Sequence, residues 1–380
     1  MRVVWLDGSA DAVAALDAAV ASALDGGEAV LPLNAADPSA PALLEGMVPG
    51  TPAEPGTAVV IATSGSTGAP KGVLLSPSAL TASARATHDR LGGPGHWLLA
   101  TPAHYIGGLQ VLVRARLAGT RAAYLVGNGF RPDDFAAAAA PVLAAAGPSY
   151  TALVPTQLVR LLDDGGAGLE AARAFDAIVL GAAATSPKLR TRAAEAGVRI
   201  MPAYGMSETA SGCVYDGVPL DGVRVELDAD DRIRIAGDVL AHGYRLAPEL
   251  TAESFGDGWF RTSDRGRIHA DGRVEVLGRA DDVINTGGVK VSAAEVERVL
   301  GGQPGVRDAC VVGLPDPEWG EAVVALVVTD GAADGSGLRA AVRAELGPAA
   351  TPKRLEFTAE LPLRGPGKID RGAVKALLTS

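Results

Sequence analysis

Apolar residues in the first half of the chain fall into short unbroken runs. "VVWL" (3–6), "TAVVIAT" (57–63), "HWLLAT" (96–101), "AAYLV" (122–126), "YTALVP" (150–155), "DAIVLG" (176–181) and "VRIMPAYG" (198–205) are the clearest. Runs of this length, bounded by turn residues, predict strands buried on both faces. Helical periodicity fills the gaps, in the Ala-rich segment up to residue 25, "SPSALTASARATHDRL" (76–91), "PTQLVRLLDDG" (155–165) and "SPKLRTRAAEAG" (186–197). Ser76 or Ser78 is placed to cap the second of these. Residues 34–57, rich in Pro, Ala and Gly, predict a loop. Strand and helix alternating in this way predict α/β layering around a largely parallel sheet.

Beyond residue 220 the period shortens. "VRVELDADDRIRIAG" (223–237) and "GRIHADGRVEVLG" (266–278) alternate apolar and polar positions around DD and DG turns, which predicts antiparallel strands. After "GRADD" (278–282) comes a compact α+β pattern. "SAAEVERVL" opens with Ser292 and has Glu295 three residues on, the spacing of a capping box. "ACVVGLP" and "AVVALVV" read as strands and "GLRAAVRAEL" as a helix. The expected fold is therefore α/β. A large N-terminal domain (1–279) carries layered parallel sheets, helices and a distorted antiparallel β part, and a small α+β C-terminal domain follows (280–380).

Composition narrows the function classes. Of 380 residues 48% are hydrophobic, 21% charged and only 4% aromatic, which describes a globular chain built from small aliphatics. The net charge of −10, with no Lys/Arg-rich run, argues against a nucleic-acid partner. Cys213 and Cys310 are far apart and lack metal-ligand spacing, which suits a reducing compartment. The start "MRVVWLDGSADAV" has no signal-peptide core, and "FAAAAAPVLAAAG" (135–147) is broken by Pro141. A cytoplasmic protein without a membrane partner is the expectation.

The segment "TSGSTGAPKG" (63–72) carries the first chemistry. A Walker A loop counted from Gly65 needs glycine where Pro70 stands and Ser or Thr where Gly72 follows Lys71, so the spacing excludes it. Glycines that turn backbone N–H groups toward an anion, hydroxyls as further donors and a closing lysine still suit a phosphate. Alone, the segment reads equally as a Ser/Gly turn with a solvated lysine. "AYGMSETA" (203–210) adds a carboxylate among hydroxyls after a strand, a fitting magnesium ligand against phosphate oxygens. "GWFRTSD" (258–264), "GRADDVINTGG" (278–288) and "LRGPGKIDR" (363–371) contribute Asp264, Arg279 and Lys368. Each of these has an ordinary structural reading when taken singly.

In their joint order these five motifs resemble the acyl-adenylate-forming superfamily of acyl- and aryl-CoA ligases, peptide-synthetase adenylation domains and luciferases. The resemblance covers residues 57–380 and implies ATP, Mg²⁺ and coenzyme A as reactants or cofactors. It also implies a mobile C-terminal domain that reorients between adenylation and thioester formation. On this resemblance Thr63, Ser64, Gly65, Ser66, Thr67, Gly68 and Lys71 enclose the β- and γ-phosphates. Glu208 holds Mg²⁺, Thr209 meets the α-phosphate, and Tyr204, Gly205 and Ser207 belong to the nucleotide wall. Asp264, from a Thr262-Ser263-Asp264 variant of the family's T-G-D, and Arg279 bind ribose. Asp281 is the hinge, Lys368 the adenylation catalyst, and Gly287 and Gly288 line the pantetheine tunnel.

For the acyl group, "PAHYIGG" sets His104 and Tyr105 where the family carries Phe and His, with Gly108 matching its glycine. Gly181, Ala182 and Ala183 form the small-residue segment beside acyl group and adenine. With only about 60 residues before the phosphate segment, the chain is similar to short o-succinylbenzoate–CoA ligases of menaquinone biosynthesis. Arg114, or alternatively Arg116, is the candidate partner for that substrate's second carboxylate. Other aryl- or fatty-acyl-CoA ligases, a stand-alone domain loading a carrier protein, and a non-catalytic nucleotide-binding module are the alternatives. A homodimer is the prior that the resemblance carries.

Overall fold

The run TAVVIAT becomes the third strand of a five-stranded sheet in the computed structural model, which describes residues 1–64, 70–127, 129–331, 333–365 and 367–379. Strands β1 (Arg2–Leu6), β2 (Val30–Asn34) and β3 (Val59–Ser64) run parallel. β4 (Pro70–Leu75) turns back antiparallel on β3, and the short strand Gly243–Tyr244 closes the far edge. Leu31, Leu33, Val60, Ala62 and Leu74 from this sheet pack on Met47.

A second, seven-stranded sheet is assembled from the remaining apolar runs. Its strands are β5 (His96–Leu99), β6 (Ala123–Tyr124), β7 (Ser149–Leu153), β8 (Ala177–Leu180), β9 (Ile200–Met206), β10 (Ser211–Tyr215) and β11 (Val218–Pro219), in the order β11-β10-β9-β8-β7-β5-β6. The five from β9 to β6 are parallel, as the unbroken apolar runs predict, and β10 and β11 are antiparallel additions. Burying both faces removes the need for alternation. Leu98, Leu153, Ile178 and Leu180 meet Phe135, Leu158, Leu161 and Phe175 in the core beside this sheet.

Helices α1 (Ala10–Leu24), α2 (Ala40–Gly46), α3 (Pro77–Leu91) and α4 (Ile106–Leu117) surround the two sheets. At the start of α3, Ser76 is the cap: its Oγ accepts the Ala79 N–H at 3.1 Å, and Pro77 occupies the first turn, where no N–H is required. α2 lies inside the segment expected to be loop. Its seven residues include Pro41 in the first turn, which is compatible with a helix start and reads locally as a breaker.

The described chain separates into two units. One comprises Met1–Thr185, Leu189–Val225 and Arg234–Arg261, and the other Ser186–Lys188, Glu226–Ile233 and Thr262–Ser380. In the second unit, Asp264–Ile268 pairs antiparallel with Val274–Arg279. Its main sheet pairs Val306–Asp316 with Gly320–Thr329 around a core of Val296, Val299, Val311, Ala325 and Val342. Ser292 caps the helix Ala293–Gly301, accepting the Glu295 N–H at 3.4 Å. Among the described residues no helix is long and apolar enough to cross a membrane.

Candidate active site

In the first unit the expected site residues gather at the carboxyl ends of parallel strands, where open α/β sheets present ligand-binding groups. Thr63 and Ser64 end β3, Gly181 follows β8, and Tyr204 and Gly205 lie near the end of β9. Thr63 faces Lys71 and Ser64 faces Pro70 across the β3–β4 register, so the two described ends of the expected phosphate segment lie on paired antiparallel strands. Gly65, Ser66, Thr67 and Gly68 lie outside the described residues. The Thr63 hydroxyl donates to the Lys71 carbonyl at 3.4 Å, and the Lys71 ammonium stands 5.4 Å from the centroid of the Tyr244 ring.

Behind this strand pair Arg245 is buried. Its N–H donates to the Gly72 carbonyl at 2.8 Å, and its guanidinium donates to the carbonyls of Met47, Val48, Thr51 and Pro52 and to Glu54 at 3.0 Å. A side chain at position 72 would meet Met47 Sδ at 2.4 Å, which is why glycine stands there.

The turn Ser207–Thr209 follows β9 directly. Gly205 lies against β10 so closely that a Cβ would sit 2.1 Å from the Ser211 carbonyl oxygen. Ala210 (φ 48°) and Ser211 (φ 107°) both adopt left-handed backbone that non-glycine residues avoid. Buried side chains hold this strained corner. Ser83 Oγ and Gln110 Nε2 each donate to the Ala210 carbonyl at 2.9 Å. Thr209 is fully buried, and its hydroxyl lies 2.7 Å from the Ser211 carbonyl and 3.1 Å from that of Met206. A hydroxyl has one proton. The Thr209 side chain therefore closes the turn, which differs from the expected contact with an α-phosphate.

Glu208 stands at the tip of this turn, and one of its carboxylate oxygens accepts the Tyr244 hydroxyl at 2.9 Å. Among the described residues no group of three or more His, Cys, Asp or Glu converges as a metal site. A lone carboxylate suits Mg²⁺, which takes few protein ligands and keeps water and phosphate oxygens for the rest. Ser83, Gln110 and Tyr244 were not singled out from the sequence. The one local signal is Gln110, a polar residue inside the apolar run of α4.

The acyl candidates separate. His104 and Tyr105 lie with ring centroids 4.0 Å apart and planes inclined by 45°, and line a small cleft with Leu33, Asn34, Asp37 and Ala62. Burial pushes the His104 pKa down to about 4 against a weaker opposite pull from Asp37, so the ring is neutral at physiological pH. It offers a polar face and no counter-charge. Gly108 serves packing, because a Cβ there would fall 2.4 Å from the Pro102 carbonyl. Arg114 is only 1% exposed, lies over the Trp97 ring at 5.1 Å and reaches Tyr215 Oη at 3.4 Å. The expectation that it presents charge to a substrate carboxylate does not match this enclosed position. Arg116 pairs with Asp17 at 3.2 Å on the surface. Gly181, Ala182 and Ala183 follow β8 as a mostly exposed turn, with Ala182 at φ 71°.

The second unit holds the other expected residues. Asp264 and Arg279 face each other in the strand register, and the Arg279 fork grips both carboxylate oxygens of Asp281 at 2.8 and 2.6 Å. That bond leads in raising the Arg279 pKa. Gly287 (φ 58°) and Gly288 (φ 81°) form a two-residue hairpin turn, and a Cβ on Gly287 would meet the Trp319 ring at 2.5 Å. Lys368 is exposed on the short strand Lys368–Ile369, paired with Leu363–Arg364. Just beyond it, Arg371 bonds Asp282 at 3.1 Å and Glu297 at 2.8 Å, which fastens the lysine-bearing segment within its unit.

The description "AMP-binding enzyme" belongs to the family model that matches residues 7–244, and "AMP-binding enzyme C-terminal domain" to the one that matches residues 295–368. A probable 2-succinylbenzoate–CoA ligase of Mycobacterium tuberculosis is 46% identical over 83% of each chain. Among solved structures, the amide bond synthetase McbA of Marinactinospora thermotolerans superposes with a TM-score of 0.74 at 30% identity, covering 85% of this chain and 69% of its own. The o-succinylbenzoate coenzyme A synthetase MenE of Bacillus subtilis, in complex with ATP and a magnesium ion, superposes with a TM-score of 0.72 at 26% identity, covering 84% of this chain and 70% of its own.

Proposed function

From the premise that this chain belongs to the AMP-binding enzyme family, we propose that it is an ATP-dependent acyl-CoA ligase acting on o-succinylbenzoate in menaquinone biosynthesis. The observation that carries this reading is the 46% identity, over most of both chains, with the mycobacterial 2-succinylbenzoate–CoA ligase. A carboxylate oxygen of the acid attacks the α-phosphorus of ATP, the bond to the β-phosphate oxygen breaks, and pyrophosphate leaves. The sulfur of coenzyme A then attacks the acyl carbon of the mixed anhydride, AMP leaves with the anhydride oxygen, and the thiol proton passes to solvent. Cys213 and Cys310 are buried, and burial pushes both thiols up to about 12, which agrees with a route that needs no protein thiolate.

Residues 1–279 form the nucleotide- and acyl-binding domain in this proposal, and 280–380 form a lid that turns about Asp281. Thr63 to Lys71 handle the β- and γ-phosphates, and Glu208 holds Mg²⁺, whose charge offsets that of the phosphate oxygens. Tyr204, Gly205, Ser207 and Gly181 to Ala183 wall the nucleotide, and Asp264 and Arg279 take the ribose. His104 and Tyr105 border the acyl group, with a neutral His104 supplying hydrogen bonds and leaving the charge of the spare carboxylate to other groups. Lys368 bridges acyl carboxylate and α-phosphate, and Gly287 and Gly288 guide the pantetheine arm.

A screen of acids for AMP release tests the reading, with o-succinylbenzoate, benzoate and medium-chain fatty acids each assayed with and without coenzyme A. We expect o-succinylbenzoate to give the largest coenzyme-A-dependent release. No release with it, alongside turnover of another acid, would overturn the substrate assignment. An amine or a carrier protein replacing coenzyme A as the effective acceptor would overturn the ligase assignment while keeping adenylation.

A further inference from the structure

Tyr244 contacts both the Lys71 ammonium and the Glu208 carboxylate. It is 6% exposed, on a two-residue strand whose register fixes it opposite Val73 of β4. Its backbone N–H donates to Thr251 Oγ1 at 2.9 Å, and Phe255 packs edge-on against its ring at 5.6 Å between centroids. Phe255 is backed in turn by Phe260 at 4.8 Å. The ring therefore has little freedom. A second bond ties the same corner, since the Ala241 N–H donates to the Glu208 carbonyl at 2.8 Å.

A glutamate at the tip of a turn has three side-chain torsions, and an unrestrained carboxylate loses that freedom when it binds a cation. The phenol removes part of the loss beforehand. A neutral phenol has one proton to give, and here it is directed to one oxygen of Glu208, which leaves the other oxygen for a cation. The face of the same ring lies toward the Lys71 ammonium within the range of a cation–π contact.

We infer that Tyr244 is a positioning residue for magnesium-bound nucleotide, holding Glu208 by its hydroxyl and seating Lys71 on its ring. The inference rests on the proposed roles of Glu208 and Lys71. The two contacts act separately. The hydroxyl affects metal-dependent binding alone, and the ring affects the phosphate segment whether or not metal is present.

The test is calorimetric titration of ATP into the full chain across a Mg²⁺ series and in excess EDTA, with thermal unfolding as a check on folding. Tyr244→Phe keeps the ring, so we expect the Mg²⁺ needed for half-maximal ATP affinity to rise about 10-fold, as when a ligand's hydrogen-bond partner is removed. Its affinity in EDTA should stay at the wild-type value. Tyr244→Leu should weaken binding in EDTA as well. Glu208→Gln separates the two levels of the argument, because the role of Glu208 requires it to abolish the Mg²⁺ dependence. If Glu208→Gln keeps a wild-type Mg²⁺ series, the reading of Glu208 falls. If it loses the dependence while Tyr244→Phe keeps it, the inference about Tyr244 falls. A Tyr244→Phe protein that loses affinity equally with metal and in EDTA marks a merely structural residue and also overturns the inference.

Discussion

Replacing Lys368 with alanine is expected to slow acyl-AMP formation about 10²–10³-fold, the usual cost of losing one preorganised donor to a developing charge. Thioester formation from supplied acyl-AMP should stay near the wild-type rate. The asymmetry follows from the chemistry of the two steps. In adenylation two anions, the substrate carboxylate and the α-phosphate, must approach within bonding distance. A positioned ammonium offsets their repulsion and stabilises the transferring oxygens. In the second step a thiol attacks a neutral carbonyl carbon, and no such pair of anions meets. Lys368 suits the first role through its setting. It is exposed at a short strand, in a Gly/Pro-containing segment whose far end Arg371 fastens to Asp282 and Glu297. Those ion pairs tie the lysine-bearing segment to the rest of its unit, while the Lys368 side chain is exposed. Single-turnover measurement of acyl-AMP, paired with a thioester assay from synthetic acyl-AMP, checks the split. Equal losses in both steps would contradict it.

Arg245→Ala is expected to destabilise the first unit by ~3–5 kcal/mol, the range for breaking a buried charge pair by removing one partner. The guanidinium is completely buried, whereas Glu54 retains 30% exposure. Hydration of the freed carboxylate places the effect toward the lower end. The carbonyls of Met47, Val48, Thr51 and Pro52 also lose their shared donor, and burying such groups unpaired adds to the loss. The bond from the Arg245 N–H to the Gly72 carbonyl is a backbone contact that alanine keeps, so the loss should fall on the 47–54 segment that the guanidinium holds. Arg245→Lys keeps the charge without the planar fork and should fall between wild type and alanine. Differential scanning calorimetry reads the stability effect. A wild-type unfolding midpoint for the alanine variant would show that the 47–54 segment does not depend on this residue.

How much of this was legible in the residues depends on the range of the interaction. The strands of both sheets in the first unit were readable because burial on both faces leaves a local trace, an unbroken apolar run between turn residues. Ser76 and Ser292 announced their helices because a cap is a contact three residues long. The helix Ala40–Gly46 was not readable, since a seven-residue helix leaves two turns of pattern, and Pro and Gly dominate its surroundings. The "AAYLV" run yielded only Ala123–Tyr124 as strand, at the sheet's edge, where a single neighbour supplies partners. Within the site, the motif residues were visible as ordered chemistry. Their supports were not, because Ser83, Gln110, Tyr244 and Arg245 act on residues far away in the chain. Arg114 shows the converse error. As a cation Arg114 reads as a partner for the substrate's second carboxylate, yet Trp97 and Tyr215 enclose it.

The account stands on acid-dependent adenylation, and pyrophosphate–ATP exchange measures that step without the acceptor. With Mg²⁺, ATP, labelled pyrophosphate and o-succinylbenzoate, and with coenzyme A omitted, label should enter ATP at a rate that vanishes when the acid is left out. Label that enters ATP without any acid, or fails to enter it with o-succinylbenzoate present, would contradict the proposed reaction.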